Sequence, residues 1–146
     1  MKEYRNKVYR VKYPEHWDCM EKVYCGDHII YFYYNNMKDG FPNINLSLYY
    51  NHEGSILEIV KATRQDIRNY LRRIEIIDCD ISDDQRGVLI YEGDRDGVRY
   101  HFYQLIIKRK AETLSCTATC KKEVLDIYKV EMEEAIMSLQ FNVVDD

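Results

Sequence analysis

The residues best able to move a proton or hold a metal near neutral pH are four histidines, His16, His28, His52 and His101. They are scattered among turn-like and strand-like stretches with no i, i+2 or i+4 pair, so no two share a face at ligand spacing. The run "DCDISDD" from Asp78 to Asp84 has the look of a calcium loop, yet it lacks the turning glycine and has Leu89 where a bidentate glutamate is required. Asp78 and Asp80 read instead as solvated charge on the outer face of a strand, where they keep its edge from pairing. Glycine-rich phosphate loops, a nucleophile elbow and the zinc-protease motif are all missing. No catalytic residue, metal or cofactor is expected, and the chain reads as a non-enzyme. The cysteines at 19, 25, 79, 116 and 120 form no C-x-x-C. Cys116 and Cys120, four apart in a strand-like segment, stand more than ~12 Å from each other, too far for a disulfide. Free, mostly buried thiols in a reducing compartment are expected.

Binding surfaces are easier to find than chemistry. In "GFPNINLSLYY", Ile44, Leu46, Leu48 and Tyr50 alternate with Asn43, Asn45, Ser47 and Tyr49. Ser115, Thr117 and Thr119 repeat that polar row in "TLSCTATC". If the two strands share a sheet, it presents a polar surface rimmed by tyrosine rings, either a partner-binding face or simply a hydrated one. The alternatives are a small-ligand-binding protein or enzyme whose pocket on that face draws on Asn43, Asn45, Tyr49 and His101, and a structural domain of unknown role. Tyr31 and Tyr33, in "HIIYFYYNN", are either core residues or aromatic anchors for a partner. Lys61, Arg64, Arg68 and Arg72 fall in one sector of a helix, as a basic rim whose stems snorkel over the core or as a site for an acidic partner.

The totals frame these elements. A chain of 146 residues suits one domain, residues 1–146, that buries roughly 68–70% of its unfolded surface. Net charge is −4 and the basic residues are not massed, which argues against nucleic acid and anionic membranes as partners. The opening "MKEYRNKVYRVKYPEHW" has no apolar signal-peptide region, and no apolar run approaches the roughly 18 residues of a membrane span. A cytoplasmic protein without membrane insertion is expected. Fourteen tyrosines point to half-buried strand faces and interfaces.

Period-2 patterning predicts strands at "VYRVKY", stopped by Pro14, then "MEKVYCG" and "HIIYFYY" around a Gly26-Asp27 turn. After Lys38-Asp39-Gly40 comes the Asn-Ile-Asn stretch. Ser55 and Glu58 form a capping box, and Leu57, Val60, Ile67, Leu71 and Ile74 predict a helix over Ile56 to Arg73. Strands resume at "IEIIDCDI", "GVLIYEG", Val98 to about Lys108 and "ETLSCTATC", with a hairpin turn at Asp94-Arg95-Asp96-Gly97. Val98, Tyr100, Phe102 and Ile106 oppose Tyr103, Leu105 and Ile107, so that strand is covered on both faces. A second helix from about Lys121 buries Leu125, Tyr128, Met132, Ala135, Ile136 and Leu139, and "NVVDD" is left as a tail. Four strands, a helix, four strands and a helix make an α+β domain on an antiparallel sheet.

Taken together, "YRVKYPEHW", "FPNINLSLYY", "SILEIVKATRQDIRNYL" and the closing hairpin and helix ending in "AIMSLQF" resemble the Mog/PsbP-like superfamily, nearest to DcrB-related small bacterial proteins. The resemblance implies a twisted antiparallel sheet with helices packed on its two sides. It also implies non-enzymatic roles, among them chaperones of secreted effectors. A cytoplasmic adaptor or chaperone-like module follows as the expected function, acting as a monomer or homodimer on a protein partner such as a secreted effector or a membrane-associated segment.

Overall fold

The expected alternation carries most of the chain into strands. The structure is a computed structural model that describes residues 1–24, 27–34, 42–50 and 54–143. Its first half holds β1 (Lys2–Arg5), β2 (Tyr9–Tyr13), β3 (Trp17–Tyr24), β4 (Asp27–Tyr34), β5 (Asn43–Tyr50) and α1 (Ile56–Asp66). The second holds β6 (Arg72–Asp83), β7 (Arg86–Arg95), β8 (Val98–Arg109), β9 (Glu112–Lys121), α2 (Leu125–Met137) and β10 (Gln140–Phe141). Gly26, the Lys38-Asp39-Gly40 turn, Cys25, His52 and the last three residues fall outside the described residues.

Seven strands form one antiparallel sheet in the order β3-β4-β5-β9-β8-β7-β6, and β1-β2-β10 form a second, small sheet. The small sheet corrects the expectation of a single one. Its strands β1 and β10 have four and two residues, largely exposed, so they carry no alternation to read. They form by pairing with β2, Lys2 opposite Tyr13 and Gln140 opposite Arg10.

Register sorts the large sheet into two faces. Leu46, Cys116 and Leu105 are successive cross-strand partners on one face, and Asn45, Thr117 and Gln104 on the other. The first face is the main core, where Phe32, Ile44, Leu46, Leu105 and Cys116 pack beneath Met132, Ala135 and Ile136 of α2 and Tyr9 and Val11 of β2. The second face is covered by α1 only over its β6-β7-β8 end. There Ile56 and Val60 pack on Ile106, and Ile67 and Leu71 on Leu89 and Tyr91. The two helices thus sit on opposite sides of the sheet, as expected. Among the described residues no helix is long and apolar enough to cross a membrane.

Close seating of α1 depends on Gly87 of β7, and that of Leu71, beyond the helix, on Gly93. A Cβ on Gly87 would lie 2.9 Å from Ile56 Cγ2 and 3.2 Å from Val60 Cγ2, and one on Gly93 would lie 3.0 Å from Leu71 Cβ. Ser55 Oγ accepts the Glu58 N–H at 3.2 Å, which is the serine half of the expected capping box. Two expectations for α1 fail. Ile56 rather than Leu57 is the buried first-turn residue, Leu57 being exposed. The helix also stops at Asp66 instead of Arg73. A tighter 3-10 turn at Ile67–Asn69 drops both Ile67 and Leu71 into the Leu89–Tyr91 cluster, and Arg73 at φ +52° lies at the first register shift of β6.

The β7–β8 turn is a two-residue one, Asp96 (φ +52°) and Gly97 (φ +78°), the left-handed pair that a tight hairpin requires. Edge strand β6 is interrupted by register shifts and exposes Asp78 and Asp80, in keeping with charge that guards an edge. Cys116 and Cys120 are free and buried, Cys19 is half-buried, and Cys79 is exposed, which corrects the expectation that the thiols are mostly buried. Burial pushes the Cys120 thiol up to about 11 and the Cys116 thiol higher still. In a Cys25→Ser background, a thiol reagent is expected to modify Cys79 promptly and Cys116 and Cys120 only on unfolding. Prompt native-state modification of either buried thiol would contradict this packing.

Candidate functional site

Where α1 stops covering the sheet, a groove opens between the helix and the polar face, with a cavity volume of about 710 Å³. Its floor is built by register. Asn45, Thr117 and Gln104 lie side by side across β5, β9 and β8, and Asn43, Thr119 and Phe102 form the next row. Tyr49 and Thr113 are partners at one end, and Tyr100 lies at the other. The predicted residues Asn43, Asn45, Tyr49, Ser115 and Thr117 all line this groove.

The floor is held in place by its own bonds. Tyr91 Oη donates to Gln104 Oε1 at 3.4 Å, and Gln104 Nε2 donates to Ser115 Oγ at 3.0 Å, which links β7, β8 and β9. Phe102 stacks on Tyr91 with centroids 4.7 Å apart and planes 11° from parallel. Burial raises the Tyr91 phenol, and that of Tyr70 on the helix side, so both remain neutral donors at ordinary pH. The helix wall is formed by Glu58, Ile59, Ala62, Thr63 and Asp66, which recur along one side of α1, followed by Tyr70.

Several expected site residues lie elsewhere. Ser47, Tyr31 and Tyr33 share the open face, with Tyr31 opposite Asn45 and Tyr33 opposite Asn43, but they do not line the groove. Strand β4 is neither central nor an edge; it is second from the edge, and its two tyrosine rings are half-buried. His101 does not join Asn43 and Asn45. Residues alternate along β8, so His101 turns to the opposite face with Leu105. Lys61, Arg64 and Arg68 are exposed and do not line the groove. Arg72 leaves their row altogether, since it opens β6 and donates to the Leu71 and Arg68 carbonyls at 3.3 and 3.5 Å.

Sequence reading missed Gln104, Thr113, Tyr70 and the acidic wall of Glu58 and Asp66. Gln104 carried a signal, a lone amide between apolar residues of a strand covered on both faces. Also missed was a charge cluster on the other face. Glu92 is 3% exposed and cross-strand from His101. It accepts from His101 Nδ1 and Lys122 Nζ, each at 2.7 Å, with Arg99 Nε at 3.8 Å. Because a carboxylate only accepts, Nδ1 carries the ring proton. Burial alone would raise the Glu92 carboxyl, and the hydrogen bonds from Lys122 and His101 outweigh it, holding it below its usual range. Cys120 is the cross-strand partner of His101, but its buried, protonated thiol is a poor nucleophile.

No family profile and no curated protein matches the chain. Among solved structures it is similar to CyanoP, the cyanobacterial PsbP of Synechocystis, with TM-score 0.71 and 15% identity over 97% of this chain and 92% of that one. A Pseudomonas aeruginosa protein of unknown function aligns over 100% of this chain and 97% of its own, with TM-score 0.61 and 17% identity. LpqN of Mycobacterium tuberculosis, involved in cell envelope biogenesis, aligns over 92% and 83%, with TM-score 0.62 and 8% identity. At such identities the likeness is one of architecture, and sites are not transferred with it. This chain has a PsbP-like α+β fold.

Proposed function

We propose that the chain is a non-enzymatic binding protein whose groove receives an extended segment of another protein. The observation that carries this reading is the repeat of the floor. Its rows of amides and hydroxyls recur every second residue, at ~6.7 Å, which is also the repeat of an extended peptide laid along the strands. From Tyr100 to Ile106 the floor runs seven residues along β8, six rises or ~20 Å, enough for about six residues of ligand. Asn and Gln each offer donors and an acceptor, so they can meet both peptide N–H and C=O groups. The groove is concave and mixed, with rings beside neutral polar side chains, and its volume lies in the ordinary range for ligand sites.

A cytoplasmic adaptor or chaperone, monomeric or homodimeric and akin to the DcrB-related proteins, belongs to the same proposal, with a secreted effector or membrane-associated segment as partner. Nucleic acid and membrane insertion have no place in it. Lys61, Arg64 and Arg68 enter only as an outer contact for an acidic part of that partner. A small polar ligand is the second reading, favoured by the groove's volume.

Linear heptapeptides selected by display on the parent protein are expected to shift backbone amide signals of β5, β8 and β9. They should bind Thr117→Trp, which fills the floor, at least about tenfold more weakly. Unchanged affinity for that variant, or shifts confined to the opposite face, would remove the proposal.

A further inference from the structure

The large sheet has two edges, and they are finished differently. At β6 register shifts break the pairing to β7, and the exposed acids Asp78, Asp80 and Asp83 meet any second strand with charge of one sign. At β3 the pairing to β4 runs without interruption from Trp17 opposite Tyr34 to Tyr24 opposite Asp27, and no described strand lies beyond it. Trp17 shows which way the free backbone groups point. Its N–H donates to the Pro14 carbonyl at 3.0 Å and its own carbonyl accepts from Lys2 Nζ at 2.7 Å, so both are turned away from β4. Backbone direction alternates along a strand, so Cys19, Glu21 and Val23 turn theirs outward as well, and none of these is bonded to another described strand.

The side chains of this edge are complementary to themselves. Asp18, Met20 and Lys22 are exposed on the open face, where Asp18 lies opposite Tyr33 and Met20 opposite Tyr31. Within one chain the acid and the base stand ~13 Å apart along the strand, too far to pair. A second copy laid antiparallel against β3, with like faces on one side, must place one residue opposite itself on the symmetry axis. Centring on Met20 sets Asp18 opposite Lys22 of the second copy, and Lys22 opposite its Asp18, with the two methionines between them. Centring on Glu21 or Lys22 opposes like charges, and centring on Cys19 brings no unlike charges together. Because Met20 turns its backbone to β4, the central pair is a non-hydrogen-bonded one, and Cys19 and Glu21 beside it exchange the N–H to C=O bonds.

We infer that β3 is a dimerisation edge that takes β3 of a second copy, antiparallel about Met20, and so runs the two seven-stranded sheets into one. Strand β4 separates this edge from the groove floor, which begins at β5, so the inference stands apart from the peptide-site reading. The free stretch is short, since Trp17 is already engaged. The contact therefore falls below the roughly 1,200 Å² of a standard interface, and a Kd on the order of 100 μM is expected.

Sedimentation velocity of the full chain from about 10 μM to about 1 mM should show a monomer giving way to a dimer. Asp18→Lys or Lys22→Asp alone opposes two like pairs and should weaken association at least about tenfold, while the two together should return it to within about threefold of the parent. Met20→Cys in a Cys19→Ser, Cys25→Ser, Cys79→Ser background should cross-link into a dimer on mild oxidation, since the central partners stand ~4.5 Å apart at Cα. Val23→Cys in that background should not. The inference is overturned by a parent that stays monomeric at about 1 mM, by a double variant that melts like the parent yet associates no better than the single ones, or by Val23→Cys cross-linking as readily as Met20→Cys. A dimer whose amide shifts fall on the exposed Ile127 and Val130 of α2 instead of β3 overturns it too.

Discussion

Replacing Phe32 with alanine is expected to destabilise the protein by about 3–5 kcal/mol, a drop of roughly 10 °C or more in melting temperature. Phe32 is fully buried and lies where the two sheets meet, its ring 4.5 Å from that of Tyr13 and 6.1 Å, edge-on, from that of Tyr4. Truncation removes the apolar transfer term and leaves a hole bounded by backbone pairing on both sides, which cannot collapse to fill it. Urea unfolding monitored by circular dichroism measures the loss. Tyr50→Ala, at a residue 62% exposed, provides the contrast and should stay within about 0.5 kcal/mol. Equal losses at the two positions would mean that the small sheet is not docked through Phe32.

The second large effect concerns charge. Glu92→Gln is expected to cost about 2 kcal/mol at neutral pH, less than the full penalty for breaking a buried pair. The discount has two sources: Lys122 is half-exposed and can return to water, and Arg99 keeps Asp94 at 3.0 Å and Glu75 at 3.6 Å. The carboxyl is held low in the folded state. Its contribution is therefore present above the ordinary value of 4.5 and is lost as the pH falls through the lower, folded value. Urea titrations of parent and variant should differ at pH 7 and converge toward pH 3. A gap that persists undiminished at low pH would assign the effect to packing.

Much of this molecule was legible because burial writes a period into sequence. Ile44, Leu46 and Leu48 alternate because one face of β5 is core, and Val60, Ile67 and Leu71 recur because one side of their segment is covered. The same logic misjudged the end of α1. Ile67 and Leu71 fit a continuing helix equally well, and only the depth of the Leu89–Tyr91 cluster draws them through a tighter turn. The polar rows were visible one strand at a time. What brings Asn45, Thr117 and Gln104 together is register, a long-range property that no single strand carries. The Glu92–His101 pair was hidden for the same reason, since nine residues and a hairpin turn separate its members.

Gly87 and Gly93 give the groove a property of their own. With no methyl beneath Ile56 and Val60, α1 sits low on Gly87, and with none beneath Leu71 the segment after the helix sits equally low on Gly93, so the height of the groove's α1 side is set by that missing pair of carbon atoms. A side chain at either position would act as a shim. It would lift the helix or the segment after it and change the aperture while every lining residue kept its identity, so the width of such a groove can be tuned from underneath, at positions the ligand never meets.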